Sequence, residues 1–381
     1  MNKILKIVSF IGAFVLIAVL LLYLLEYTYL LRGIQITYLQ GHTTAYIDDY
    51  TEFANRRIPA SEQSQPWPSH ANYNEVKATE QLEELNAELG TAAFLIIKND
   101  SIWFEKYYQD YGPASKTNSF SMAKSIVSAL LGKAIREEHI ESLEQPVADF
   151  FPRFDQSLKV GDLASMASGL NWNENYYNPF GMTAEAYFGD DIQELILDLE
   201  VTEKPGHEFK YLSGNTILLG MVLEKATGIP LSEYLSKSFW KPLGMKHDAL
   251  WQLDSRESGM EKAYCCIASN PRDFAKIGRL YKNYGRWNGQ QILDSSYVAR
   301  SIKPRFEESP QYGYGFWLSE YKDKDFFYMR GILGQYVVVI PEDDLIIVRL
   351  GQNFIKKEDD QEHSPDLFRY IEEAYKMLET W

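Results

Sequence analysis

Histidine and cysteine are scarce in this chain, and their scarcity narrows its chemistry before any motif is read. Six histidines and two cysteines occur among 381 residues. The cysteines are neighbours, Cys265 and Cys266, so they supply neither a disulfide framework nor a paired metal knuckle. Adjacent cysteines bridge only with strain, and the pair is expected to be buried and unbridged. No GxSxG elbow is present, and no histidine stands in the context of a catalytic triad. HEFKY at His207 lacks the second histidine of HExxH, which disfavours a zinc protease. Positive charge is also short, with 38 Lys and Arg against 53 Asp and Glu and a formal net charge of -15. Such a surface repels a phosphate backbone, so nucleic acid is not an expected partner. Internal repeats are absent.

What the chain does have begins at its N-terminus. Ile7 to Leu25 carries no charge and as a helix would rise about 28 Å, close to the hydrocarbon thickness of a bilayer. Lys3 and Lys6 precede it and Glu26 follows, which orients residues 1–6 as a cytoplasmic tail and 7–25 as a signal anchor. EYTYLLRGIQ offers no small-x-small cleavage site, and no cysteine follows as a lipoprotein acceptor. The reading is a single-pass membrane protein with its catalytic domain on the periplasmic or extracellular side. Residues 26–73 are expected to be a juxtamembrane segment and linker, because Gly41 to His70 is polar and broken by Pro59, Pro66 and Pro68, as an extended tether would be.

The whole chain is 45% hydrophobic, and the part that remains, 74–381, is long enough for one large core. NEVKATEQLEELNAELG reads as a helix closed by Gly90, followed by two strands around Asn99 and Asp100. YGYGFWL, DFFYMRGI, QYVVVIP and DLIIVRLG are short β-branched and aromatic runs, and SPDLFRYIEEAYKMLET is a capped helix. Between them, about 121–302, helical periodicity dominates. The expected class is α+β: an antiparallel sheet from both chain ends with a helical region inserted.

Two segments carry candidate chemistry. In FSMAKSIVSALLGKAI, Ala123, Val127, Leu130, Leu131 and Ala134 mark a buried helix face, and Ser121 and Lys124 stand three apart at its start. A desolvated lysine there loses affinity for its proton and can take that of a neighbouring serine. The helix N-terminus also favours the oxyanion that forms on attack. A second SxxK pair, Ser238 and Lys241, precedes Pro242 and reads as a solvated helix end. Tyr211 follows PGHEFK and enters an apolar helix, a placement that presents its phenol to a cleft. Tyr281 of a YxN pair lies inside a periodic helix and reads as packing. In NWNENYYNPFG, Tyr176 is open between substrate contact and packing, and Tyr177 is a candidate substrate contact.

The order of FSMAKS, IESLEQPVADFFP, VGDLASMASGLNW, PGHEFKYLSGNTILLG and MRGILGQYVVVIPEDDLIIVRLG resembles the serine beta-lactamase-like superfamily, particularly its class C-related esterases and 6-aminohexanoate-dimer hydrolases. The resemblance implies a beta-lactamase/transpeptidase-like fold, with Ser121 as nucleophile and Lys124 and Tyr211 sharing its proton, Tyr211 as second general base. Two departures stand out. Ser213 takes the place of the class C asparagine and can bond a substrate carbonyl or Lys124. GILGQ replaces the usual KTG, so the cation that holds a beta-lactam carboxylate is missing at Gly331, with Arg330 the nearby substitute. The GIxGQ form is similar to the amide hydrolases and implies the Ile332 NH as second oxyanion donor. The expected function is cleavage of a small amide or ester through an acyl-enzyme, without metal or organic cofactor. The alternatives are a beta-lactamase or D-amino peptide hydrolase of the same fold, or a catalytically silent, membrane-tethered binding protein.

Overall fold

The computed structural model describes residues 3–358 and 361–379. Residues 1–2 of the expected cytoplasmic tail and 380–381 of the expected domain lie outside the described residues. Helix α1 (Lys3–Leu24) is 22 residues long, has a mean hydropathy of 2.9 and has no buried residue. It is long and apolar enough to cross a membrane, and it begins upstream of the uncharged segment because Lys3 and Lys6 continue the same helix.

The segment 26–73 is not an extended tether. Glu26, at φ 63°, follows the end of α1, and α2 (Thr28–Ile36) buries Tyr29, Gly33 and Ile36. Arg32 donates to the carbonyls of Phe188, Gly189 and Asp254 and pairs with Asp190. Strand β1 (Asn55–Ile58) joins a sheet, and Ile47, Phe53, Ile58 and Trp67 enter the main core. These anchors fall at irregular intervals, so no periodicity reveals them between polar residues and prolines.

After α3 (Glu80–Glu88), capped by Thr79, come β2 (Thr91–Lys98) and β3 (Ser101–Tyr107), joined through Asn99 and Asp100, both at positive φ. The short β4 (Thr117–Asn118) leads into α4 (Met122–Arg136). The helical region continues with α5 (Val160–Ala164), α6 (Met182–Phe188), α7 (Ile192–Leu197) and α8 (Ser213–Thr227). It is interrupted by β5 (Ala249–Gln252) and β6 (Ile267–Ser269), which with β1 and β4 build a four-stranded sheet in the order β1-β5-β6-β4. A two-stranded ribbon, β7 (Arg286–Trp287) and β8 (Gln290–Gln291), follows the helix Pro271–Lys282. The chain then returns as β9 (Trp317–Tyr321), β10 (Lys324–Gly331), β11 (Gln335–Ile340) and β12 (Leu345–Gly351), and ends in the helix Pro365–Glu379.

The main sheet is antiparallel, in the order β3-β2-β12-β11-β10-β9, so both chain ends do form it. Strand β2 is buried on both faces. Ala93, Leu95 and Ile97 enter the core shared with α4 and α8, whereas Phe94 and Ile96 enter a second core with Leu82, Leu85 and the C-terminal helix. Cys265 and Cys266 are buried as expected, but they are bridged to one another, which corrects the expectation of an unbridged pair. Cys266 sits at φ 73°, a local backbone conformation that spacing does not disclose.

Candidate active site

Ser121 occupies the N-cap of α4, immediately after Phe120 at φ 44°. Positive φ is costly for an aromatic residue and persists only where its surroundings enforce it. Here they do so through several bonds. The Phe120 NH donates to the Asn118 side chain at 2.9 Å, the Ser119 NH to the Ile267 carbonyl at 2.8 Å, and the Ile267 NH to Ser119 Oγ at 3.0 Å. Asn118 in turn donates to Asp49 at 2.9 Å, so the segment expected to be a tether buttresses the serine loop.

Lys124, one turn on, is 2% exposed. Its Nζ donates to Ser121 Oγ at 2.9 Å and to the Tyr264 carbonyl at 3.0 Å. Burial pushes its pKa down to about 8, against an opposing pull from the Glu174 carboxylate. The rings of Tyr211 and Tyr264 flank the ammonium at 5.2 and 5.3 Å. Ser121, Lys124 and Tyr211 therefore converge. The Tyr211 ring also packs against Trp317 at 5.1 Å and edge-on against Tyr312 at 5.9 Å. Burial raises the Tyr211 pKa, while hydrogen bonding to Ser121 and the charge of Arg330 act in the other direction.

Glu174, which the sequence reading passed over, organises the rest of the site. Its carboxylate accepts from Trp172 Nε1, the Ser213 NH and Ser213 Oγ, each at 2.6 Å, and from the Tyr176 hydroxyl at 2.5 Å. Ser213, expected to bond a substrate carbonyl or Lys124, instead spends its hydroxyl on Glu174. Tyr176 is likewise held by Glu174, whereas Tyr177 is 80% exposed, with Lys356 over its ring at 5.1 Å. The signal for Glu174 was its place beside Trp172 and Tyr176 in an irregular stretch, but Ser213 and Lys124 reach it from across the fold.

Gly331 closes β10 opposite Gln335, and Ile332 begins the turn to β11, with Leu333 and Gly334 at positive φ. A side chain at Gly331 would collide with the Ser119 carbonyl oxygen, so this strand end approaches the serine loop as closely as backbone allows. Arg330 stacks on Trp317 at 4.4 Å and donates to the Glu362 carbonyl at 2.9 Å. Of the second SxxK pair, Lys241 is exposed and lines a surface groove of about 770 Å³. Ser238, expected to be solvated, is buried. The pair does not form a site. Among the described residues, no three His, Cys, Asp or Glu side chains gather as a metal site would require.

The family model for Beta-lactamase matches residues 78–369. The chain belongs to the beta-lactamase family. It is 25% identical over 296 residues to the 6-aminohexanoate-dimer hydrolase of Paenarthrobacter ureafaciens, covering 71% of this chain and 74% of that protein. Protein flp of Staphylococcus aureus is 26% identical over 195 residues, 47% of this chain and 39% of its own length. Among solved structures, a candidate 6-aminohexanoate-dimer hydrolase from Bacillus anthracis superposes with a TM-score of 0.69 at 19% identity, over 86% of this chain and 90% of that one. The D-amino acid amidase of Ochrobactrum anthropi superposes at 0.61 and 16% identity, over 79% and 97%. At these identities the superpositions show the fold: beta-lactamase/transpeptidase-like, as the motifs implied.

Proposed function

We propose that this chain is a membrane-anchored serine hydrolase that cleaves small amides or esters through an acyl-enzyme on Ser121. One observation carries the reading: a fully buried lysine, its pKa lowered to about 8, lies 2.9 Å from the serine hydroxyl. At pH 7 about a tenth of such a lysine is neutral. The neutral amine accepts the Ser121 proton as Oγ bonds to the substrate carbonyl carbon, and the carbonyl electron pair moves onto oxygen. Backbone NH groups of Ser121 and Ile332 receive that oxyanion. Its collapse breaks the bond to the leaving group, which takes a proton from the Lys124–Tyr211 pair. Water then attacks the ester, passing its proton to the same pair, and Ser121 is restored.

Tyr211 enters this cycle as a proton donor and relay. Its raised pKa keeps the phenol protonated at neutral pH, so it serves as second general base by passing a proton on together with Lys124. Arg330 is already stacked and hydrogen-bonded, and no lysine stands at Gly331, which favours uncharged amide or ester groups over a beta-lactam carboxylate. The names of the hydrolase and amidase relatives support the same class. A fluorophosphonate probe tests the nucleophile: the parent protein is expected to label, and Ser121→Ala to remain blank. Equal labelling of the two proteins would refute the assignment.

A further inference from the structure

Outside α1, eight of the eleven large apolar side chains left in water among the described residues belong to two short stretches, 25–39 and 176–180. The stretches meet. The ring of Phe180 packs edge-on against Tyr27 at 5.5 Å, and Tyr27 stands three residues beyond the end of α1. The second stretch is also the rim of the catalytic site, since Tyr176 and Phe180 share a loop with Glu174, which binds Ser213 beside Tyr211. Six residues of chain reach at most about 20 Å, so the site opens within one loop of the point where α1 emerges.

The domain is docked to the chain close to that point. Arg32 of α2 grips the carbonyls of Phe188, Gly189 and Asp254, and a side chain at Gly33 would press on the Phe188 ring at 3.3 Å. This clamp fixes the face of the domain that lies nearest α1. Exposed tyrosine and phenylalanine on that face suit the depth where a bilayer meets water, because their rings bury apolar surface while a hydroxyl stays wet.

We propose that this aromatic rim seats in the membrane–water interface and that the site takes its substrates from the bilayer, as long-chain acyl amides or esters whose carbonyl lies at head-group depth. The inference rests on the serine hydrolase reading above and names the substrate class for the same site.

Full-length protein in phosphatidylcholine vesicles tests it with two esters, water-soluble p-nitrophenyl butyrate and bilayer-dissolved p-nitrophenyl palmitate. Leu39→Ser and Tyr38→Ser, both at exposed positions away from the catalytic loop, are each expected to lower kcat/KM for the palmitate by about tenfold, as loss of one interfacial apolar side chain implies. Turnover of the butyrate should stay within about twofold. An equal fall for both esters, or a fall for neither, overturns the proposal. An environment-sensitive fluorophore on Phe180→Cys should shift to the blue on vesicles without substrate, and water-like emission there overturns it too. Ser121→Ala should silence both esters; if it stays active, the nucleophile assignment fails, while the fluorophore still decides the seating of the rim.

Discussion

Glu174 shows how one residue can govern a proton that it never handles. Its carboxylate ties Trp172, Tyr176 and Ser213 together and supplies the charge that raises the proton affinity of Lys124 against burial. Tyr211 and Tyr264 also face Lys124, and Arg330 acts on Tyr211 from β10, but Glu174 is the carboxylate facing it. The proposed mechanism needs the neutral amine, so kcat/KM of the parent should rise with pH along a limb centred near 8. Glu174→Gln keeps the shape and removes the charge, which lowers the lysine pKa. The limb should therefore move to lower pH, while the plateau falls because an amide NH2 now meets the donors of Trp172 and Ser213. Rate profiles from pH 5 to 10 on a p-nitrophenyl ester check this, and a limb that does not move would uncouple Glu174 from Lys124.

Two elements meet at the serine from different ends of the chain. Helix α4 brings Ser121 and Lys124, and β10 brings Gly331 hard against the Ser119 carbonyl, where a Cβ has no room. Gly331→Ala must push the strand end away from the serine loop, displacing the Ile332 NH. Losing one oxyanion donor costs about 10²–10³-fold in kcat, and that is the expected effect. Circular dichroism should stay parental, because the remaining register of β10 with β9 and β11 is untouched. Activity within a few-fold of the parent would show that this strand end does not serve the oxyanion. Phe120, strained at φ 44°, belongs to the same meeting point: its bond to Asn118 holds the turn from which α4 begins at Ser121.

At the level of the whole molecule, residues 26–73 and the domain that follows them are one structure. A form lacking residues 1–25 should be soluble and melt within a few degrees of the parent, because α2 remains docked. A form lacking residues 1–60 loses β1, the buried side chains of Ile36, Ile47, Phe53 and Ile58, and Asp49 beneath Asn118. Each buried apolar residue is worth about 1.5–3 kcal/mol. At about 2–4 °C per kcal/mol the melting temperature should drop by roughly 10 °C or more. Differential scanning fluorimetry of the two truncations separates this picture from a passive tether, which would leave both forms equally stable.

Much of this was legible in the residues alone, for a physical reason that differs from element to element. Ser121 and Lys124 could be paired because a helix places residues three apart on one face, and the apolar stripe behind them announced the helix. The main sheet was legible because its strands are continuous apolar runs between turns, and α1 because hydropathy alone identifies a possible span. Tertiary structure decided the rest. Glu174 acquires its role from Ser213, 39 residues away, and from Lys124, farther still, which no period connects to it. The segment 26–73 is held by isolated anchors that only the finished core makes meaningful. The Cys265–Cys266 bridge goes with a left-handed backbone at Cys266, and the need for glycine at 331 with a carbonyl brought from Ser119. Periodic burial is written locally in a chain, whereas a lone contact between distant residues exists only after the fold has brought them together.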